Sequence, residues 1–170
     1  MSTRTPSSSR LRKIRLVLMD VDGVMTDGSL HYSQRGESGK TFSVKDGFGI
    51  VKGRRAGLHF GIITGKTSSV VRHRARVLGI REVHQGIWDK EKIYDRLLKR
   101  LHLTDTDVAY IGDDEPDIPV LKRVGFSAAP SDAMPVVRRT VDYVCTLPGG
   151  RGAIREIIDM ILSAQGKRGK

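Results

Sequence analysis

Apolar runs of strand length alternate along this chain with segments whose apolar residues recur every three or four positions. Residues 14–19, 58–63, 108–111 and 125–128 are runs of the first kind, and 143–144 is a shorter one. They predict strands. Between them, Val71, Ala75 and Leu78 mark one face of a helix whose other face carries Arg72, Arg74 and Arg76, predicted as a solvated face. Ile93, Leu97 and Leu101 mark a second helix. The clearest amphipathic pattern, Ile154, Ile157, Ile158, Ile161 and Leu162, closes the domain. Strands alternating with helices predict an α/β fold: a doubly wound, mainly parallel sheet covered on both faces. Residues 29–44, "SLHYSQRGESGKTFSV", break the alternation, with two short runs around a Gly, Glu, Ser, Gly cluster. This segment predicts a β-hairpin projecting over whatever the preceding residues build.

Those preceding residues are "IRLVLMDVDGVMTDGS", in which an apolar strand ends in Asp20, Asp22 and Asp27. Carboxylates at the end of a buried strand are costly unless something positive meets them. In an open parallel sheet, ligands bind beyond the carboxyl ends of the strands. There the first strand offers Asp20 and Asp22, the second Thr64 and Gly65, and the third Asp113, Asp114 and Asp117 of "GDDEPD", while Lys90 opens a helix after the short run at 83–84. Acids, one hydroxyl and one ammonium at a single edge match magnesium plus a phosphate. Two positions apart where the chain begins to turn, Asp20 and Asp22 can face one pocket, one attacking phosphorus while the other protonates the leaving oxygen. Gly23 permits the tight turn.

"DVDGVMTDG", "IITGK", Lys90 and "GDDEPD", in that order, resemble the four motifs of the haloacid dehalogenase superfamily of phosphotransferases, over residues 14–164. "FSVKDGFGI" and "PGGRGAIREIIDMIL" look like its capless branch, which contains the phosphatases of 3-deoxy-D-manno-octulosonate 8-phosphate. The resemblance implies a Rossmann-like fold without a cap domain and a magnesium-dependent phosphoric monoester hydrolase acting on a small phosphorylated sugar acid. It makes Asp20 the nucleophile and Asp22 the general acid and base, and assigns magnesium to Asp20, the Asp22 main-chain carbonyl and Asp113, supported by Asp114. Thr64 and Lys90 hold the phosphoryl oxygens. Lys66, Asp46 and Arg151 are substrate-binding candidates, and the branch implies a homotetramer in which the hairpin and the "GGRG" of a neighbour help to close the site. Lys66 stands where the sugar phosphatases often carry arginine, keeping the charge but losing the bidentate fork. Nonulosonate 9-phosphate phosphatases and an accessory subunit of phenylphosphate carboxylase have similar chains and are the alternatives.

A length of 170 residues with 38% hydrophobic content suits one domain. The net charge of +11 invites a nucleic-acid reading until it is located. Arg4, Arg10, Arg12 and Lys13 lie in residues 1–13, and Lys167, Arg168 and Lys170 in 165–170; removing those seven from +11 leaves +4 for the middle. The Ser- and Arg-rich head reads as a disordered basic arm and residues 165–170 as a basic tail, so neither nucleic acid nor membrane is expected as a partner. One cysteine, Cys145, and no apolar run near 18 residues point to a cytoplasmic protein. The five histidines lack metal-ligand spacing. Trp88 reads as a packing residue or subunit contact, and Asp46 in "KDGFG" as either a helix cap or a substrate contact. A receiver-type signalling module would share the Asp, Thr and Lys but would carry its nucleophile after the third strand, not the first.

Overall fold

A computed structural model describes residues 8–34 and 36–167. Among these residues eight strands are formed: β1 (Leu16–Met19), β2 (His31–Ser33), β3 (Gly36–Gly39), β4 (His59–Thr64), β5 (Glu82–Gln85), β6 (Val108–Ile111), β7 (Phe126–Ala129) and β8 (Tyr143–Val144). Seven α-helices accompany them among the described residues: α1 (Ser8–Lys13), α2 (Val44–Arg55), α3 (Ser69–Leu78), α4 (Lys90–Leu101), α5 (Ile118–Leu121), α6 (Pro135–Thr140) and α7 (Ala153–Ala164). Six strands make one sheet in the order β5-β4-β1-β6-β7-β8, and every neighbouring pair is parallel. The chain fills one side of β1 with β4 and β5, then crosses to the other with β6, β7 and β8. The switch point of this doubly wound sheet is therefore at β1, where a ligand crevice is expected.

Every residue of β1 is buried, yet its alternation is real: Val17 and Met19 join one core, and Leu16 and Leu18 the other. The first core takes Leu11 of α1, Ile50 of α2, Val71, Ala75 and Leu78 of α3, and the apolar face of α7. The second takes Tyr94 and Leu97 of α4, Val120 and Leu121 of α5, and Val137 of α6.

Three expectations change. The hairpin is shorter than residues 29–44: β2 and β3 pair as a separate two-stranded ribbon, and Ser43 already caps α2, its hydroxyl accepting from Asp46 N at 3.3 Å. Helix α2 itself has no apolar period to announce it. Its glycines allow close approach instead, since a Cβ on Gly49 would lie 2.9 Å from Arg155 Cδ of α7, and one on Gly53 would lie 2.7 Å from the Phe60 ring. The basic arm, expected to run to Lys13, is helical from Ser8. Leu11 is buried in the core, and Arg10 donates two 2.8 Å bonds to the carboxylate of Asp142. Residues 1–7 and 168–170 lie outside the described residues. At the other end, the Gln165 amide donates to Ile14 O at 2.7 Å, so the expected tail is anchored at its first residue.

Candidate active site

The carboxyl ends of β1, β4 and β6 bring the motif residues to one edge. The ladder continues one residue past β1, Asp20 N donating to Ile111 O at 3.1 Å, and Val21 N donates to Asp20 Oδ1 at 2.7 Å, which fixes the carboxylate. Gly23 then turns at φ +84°, and a Cβ there would fall 2.1 Å from Asp113 Oδ2, so only glycine lets the first loop approach the third. Thr64 ends β4 and is buried. Lys90 is the first residue of α4, whose N-cap Asp89 accepts from Lys92 N at 3.1 Å.

Lys90 is 3% exposed and holds two carboxylates at once, Asp20 Oδ2 at 3.0 Å and Asp117 Oδ1 at 2.7 Å. Burial works against the ammonium, but the charges of Asp117 and Asp20 prevail and raise its pKa, so it stays charged at neutral pH. Asp117 is fully buried and fully occupied: Tyr110 Oη donates to Oδ1 at 2.7 Å, and the amides of Asp113 and Asp114 donate to Oδ2 at 3.0 and 3.3 Å. It therefore positions both Lys90 and the "GDD" turn. The sequence places Asp117 at this edge but assigns it no role, because a third acid at a helix start looks like an ordinary cap.

Asp20, Asp113 and Asp117 each offer an oxygen within 4.8 Å of the others. Asp117 has no lone pair to spare, whereas Asp113 Oδ1 is buried without a partner. Burial pushes the Asp113 carboxyl up to about 8, with Asp117 and Asp20 adding repulsion. Burial likewise raises Asp20, against the pull of Lys90. A crowded set of carboxylates with one orphaned oxygen fits a hard divalent cation, which would reverse both shifts. Asp114 lies at the rim, exposed, with its carboxylate on Glu115 N at 2.8 Å.

Asp22 faces the cleft from the other side. Its Oδ1 accepts from Lys40 Nζ at 2.5 Å, and Lys66 Nζ stands 3.7 Å from Oδ2. Lys40 follows β3, its side chain is 1% exposed, and it also reaches Glu37 at 3.4 Å. The ribbon thus turns back onto the second aspartate through a residue that nothing in the motif spacing points to. Asp20, Asp22, Thr64, Lys66, Lys90, Asp113 and Asp114 all line one cleft of about 290 Å³, closed on one side by Trp88. Of the two readings of Trp88, packing within the chain does not hold, since it is 74% exposed; that exposure leaves the subunit-contact reading as it was.

Two predicted residues lie away from the cleft. Asp46 is buried under α7, accepting from Gly152 N at 3.0 Å and Arg155 N at 2.9 Å, so of its two readings the capping one matches its bonds. Arg151 is on the surface, 3.6 Å from Asp27 Oδ2. The "GGRG" loop is held within its own chain: Gly150 N donates to Val24 O at 2.9 Å, and a Cβ on Gly149 would lie 1.9 Å from Gly23 O. Nor is Arg74 on a solvated face. It turns toward α2, with Nη2 donating to Ser43 O at 3.3 Å and the guanidinium over the Phe42 ring. A larger depression, about 620 Å³, opens at the opposite edge of the sheet beside Arg12, Arg15 and Lys167 and holds none of these groups.

The profile of haloacid dehalogenase-like hydrolases matches residues 77–155. The 3-deoxy-D-manno-octulosonate 8-phosphate phosphatase KdsC of Escherichia coli K12 is 42% identical over 159 residues, covering 94% of this chain and 85% of that one. Among crystal structures, the 3-deoxy-D-manno-octulosonate 8-phosphate phosphatase of Moraxella catarrhalis, in complex with magnesium, phosphate and KDO, superimposes with a TM-score of 0.92 at 38% identity, covering 94% of this chain and 92% of that one. The cobalt-bound deoxy-D-mannose-octulosonate 8-phosphate phosphatase of Haemophilus influenzae gives 0.90 at 43% identity, with 93% and 92% covered. The match spans the sheet and all four motif sites, and among the described residues no segment forms a cap domain. The chain belongs to the haloacid dehalogenase-like hydrolases, as a capless phosphatase of the kind that includes KdsC.

Proposed function

We propose that the enzyme is a magnesium-dependent phosphatase of a small phosphorylated sugar acid, with 3-deoxy-D-manno-octulosonate 8-phosphate as its substrate. Asp20 Oδ attacks phosphorus as the bond to the leaving oxygen breaks, and Asp22 gives its proton to that oxygen. The resulting aspartyl-phosphate is opened by water. Asp22, now the base, takes a proton from the water as its oxygen bonds to phosphorus, releasing orthophosphate and the free Asp20 carboxylate. Lys90 and Thr64 hold the phosphoryl oxygens and offset their charge. A magnesium ion bound by the carboxylates of Asp20 and Asp113 and the main-chain carbonyl of Asp22, with Asp114 beside it, would neutralise charge on the transferred group.

The observation that carries this reading is the buried Lys90 ammonium 3.0 Å from Asp20, in one cleft with Asp113, whose buried Oδ1 has no hydrogen-bond partner. Lys66 and, across a subunit boundary, Arg151 supply cations for the substrate carboxylate. The working form is a homotetramer in the cytoplasm. Among the described residues no helix is long and apolar enough to cross a membrane. The test is phosphate release across a panel of sugar phosphates that includes octulosonate and nonulosonate esters, with and without EDTA. Release from the octulosonate ester that EDTA abolishes and magnesium restores is the expected result. Preference for the nonulosonate ester selects that alternative, and no release from any ester selects the accessory-subunit one.

A further inference from the structure

Trp88 is placed where a phosphatase meets its leaving group. It ends the turn after β5, one residue before the cap of α4 and two before Lys90. Three carbons of its six-membered ring, Cε3, Cζ2 and Cη2, are all 3.7 Å from where a Cβ on Gly65 would sit. Equal distances of this kind mean that the ring lies flat with one face turned toward Gly65, which presents no Cβ to it. The opposite face is open, because the residue is 74% exposed while lining the cleft. The neighbour of Gly65 is Lys66, whose ammonium is 3.7 Å from Asp22. In the reaction above Asp22 protonates the leaving oxygen, so the corner formed by Asp22, Lys66 and Trp88 is where the leaving group emerges. A large aromatic face kept in water beside a polar cleft has no stabilising role in the folded chain, and it is most economically explained by a ligand.

We propose that Trp88 is a specificity-determining residue for the leaving group: its open face takes the C–H face of a polyhydroxylated carbon chain while Lys66 meets that chain's carboxylate. An aromatic wall of this kind gains contact area without desolvating hydroxyls, which keep to the ring's edge. The inference rests on the phosphatase reading of the cleft, and its test separates the two.

Steady-state kinetics of the wild-type enzyme, Trp88→Ala and Trp88→Phe are compared on 3-deoxy-D-manno-octulosonate 8-phosphate and on acetyl phosphate, whose leaving group is too small to reach the ring. Trp88→Ala should raise KM for the sugar ester about ten-fold, as expected for the loss of one aromatic contact. It should leave acetyl phosphate within about two-fold, and Trp88→Phe should restore most of the loss. Because Trp88 is the single tryptophan of the chain, its emission is a second readout. Free 3-deoxy-D-manno-octulosonate, at concentrations that inhibit turnover, should shift it to shorter wavelength, whereas orthophosphate should not. Absence of turnover on both esters in the wild type defeats the phosphatase reading itself. Turnover with an unchanged KM in Trp88→Ala, an equal change on both esters, a loss of oligomer that accounts for the change, or emission unmoved by the sugar acid overturns the assignment of Trp88.

Discussion

In the proposed reaction Asp20 and Asp22, two positions apart, take opposite duties, and their surroundings differ accordingly. Asp20, the proposed nucleophile, is held by Val21 N on Oδ1 and by Lys90 on Oδ2 while lining the cleft. Replacing it with Asn removes both the attacking oxygen and a cation ligand, so turnover should fall by several powers of ten, about the loss seen when a nucleophile is removed. A variant retaining more than about a tenth of the parent rate would sink the assignment. Asp22 instead depends on Lys40, whose buried ammonium holds it at the rim. Lys40→Met keeps the stem and deletes the charge. It should lower kcat about ten- to a hundred-fold on alkyl phosphates, whose leaving oxygen needs the proton, and much less on an aryl phosphate with a good leaving group. Equal losses on the two would mean that Lys40 acts on something other than the general acid.

At the scale of elements, what could be read in advance followed from period and position. Five of the six strands of the main sheet have apolar runs that no other element explains, and the motif acids sit where such strands end; β5, Glu-Val-His-Gln at the sheet's edge, has no such run and gives no strand signal. Helix α2 could not be read, because Gly47, Gly49 and Gly53 stand where a helix ordinarily shows its apolar face. Their value lies in contact with α3, α7 and β4, which a one-dimensional pattern does not contain. Asp46 was undecided for the same reason: its partners, the first amides of α7, are over a hundred positions away. Helix α1 was lost to composition, since a Ser- and Arg-rich segment reads as a tail until Leu11 and Arg10 find their partners. That docking carries a pH dependence. Asp142 accepts from Arg10 and from the Ser127 amide and hydroxyl. Burial alone would raise its pKa, but Arg10 and Ser127 win and lower it below the usual 3.8. A depressed carboxylate adds stability above its unfolded pKa and loses it as the pH falls through the folded value. Asp142→Asn should therefore cost on the order of 1 kcal/mol in urea unfolding at pH 7. The difference from wild type should shrink as the pH drops below about 3.8. A difference that grew with acid would remove Asp142 from this role.

For the whole molecule, the open question is how so exposed a cleft excludes water. Phosphoryl transfer gains from a low dielectric around Lys90 and the cation, yet among the described residues only the β2–β3 ribbon and Trp88 stand over the site. The ribbon and the helix behind it expose Leu30, Tyr32, Val44 and Phe48, at 41, 69, 83 and 56%. Four apolar side chains on one stretch of chain, next to an uncovered site, are the surface that a second copy would bury. Arg151, held at its base by a loop fastened to residues 23–26, projects outward and is available to such a neighbour rather than to its own cleft. Light scattering should therefore find a multimer, with a tetramer expected. The double variant Leu30→Glu, Tyr32→Glu should dissociate it and lose turnover of the sugar ester, because a charged pair cannot be buried without partners. Circular dichroism of the dissociated chain should be unchanged, since neither residue belongs to a core. A monomer with full activity would mean that the ribbon of a single chain suffices as cover, and the assembly proposed here would fall with it.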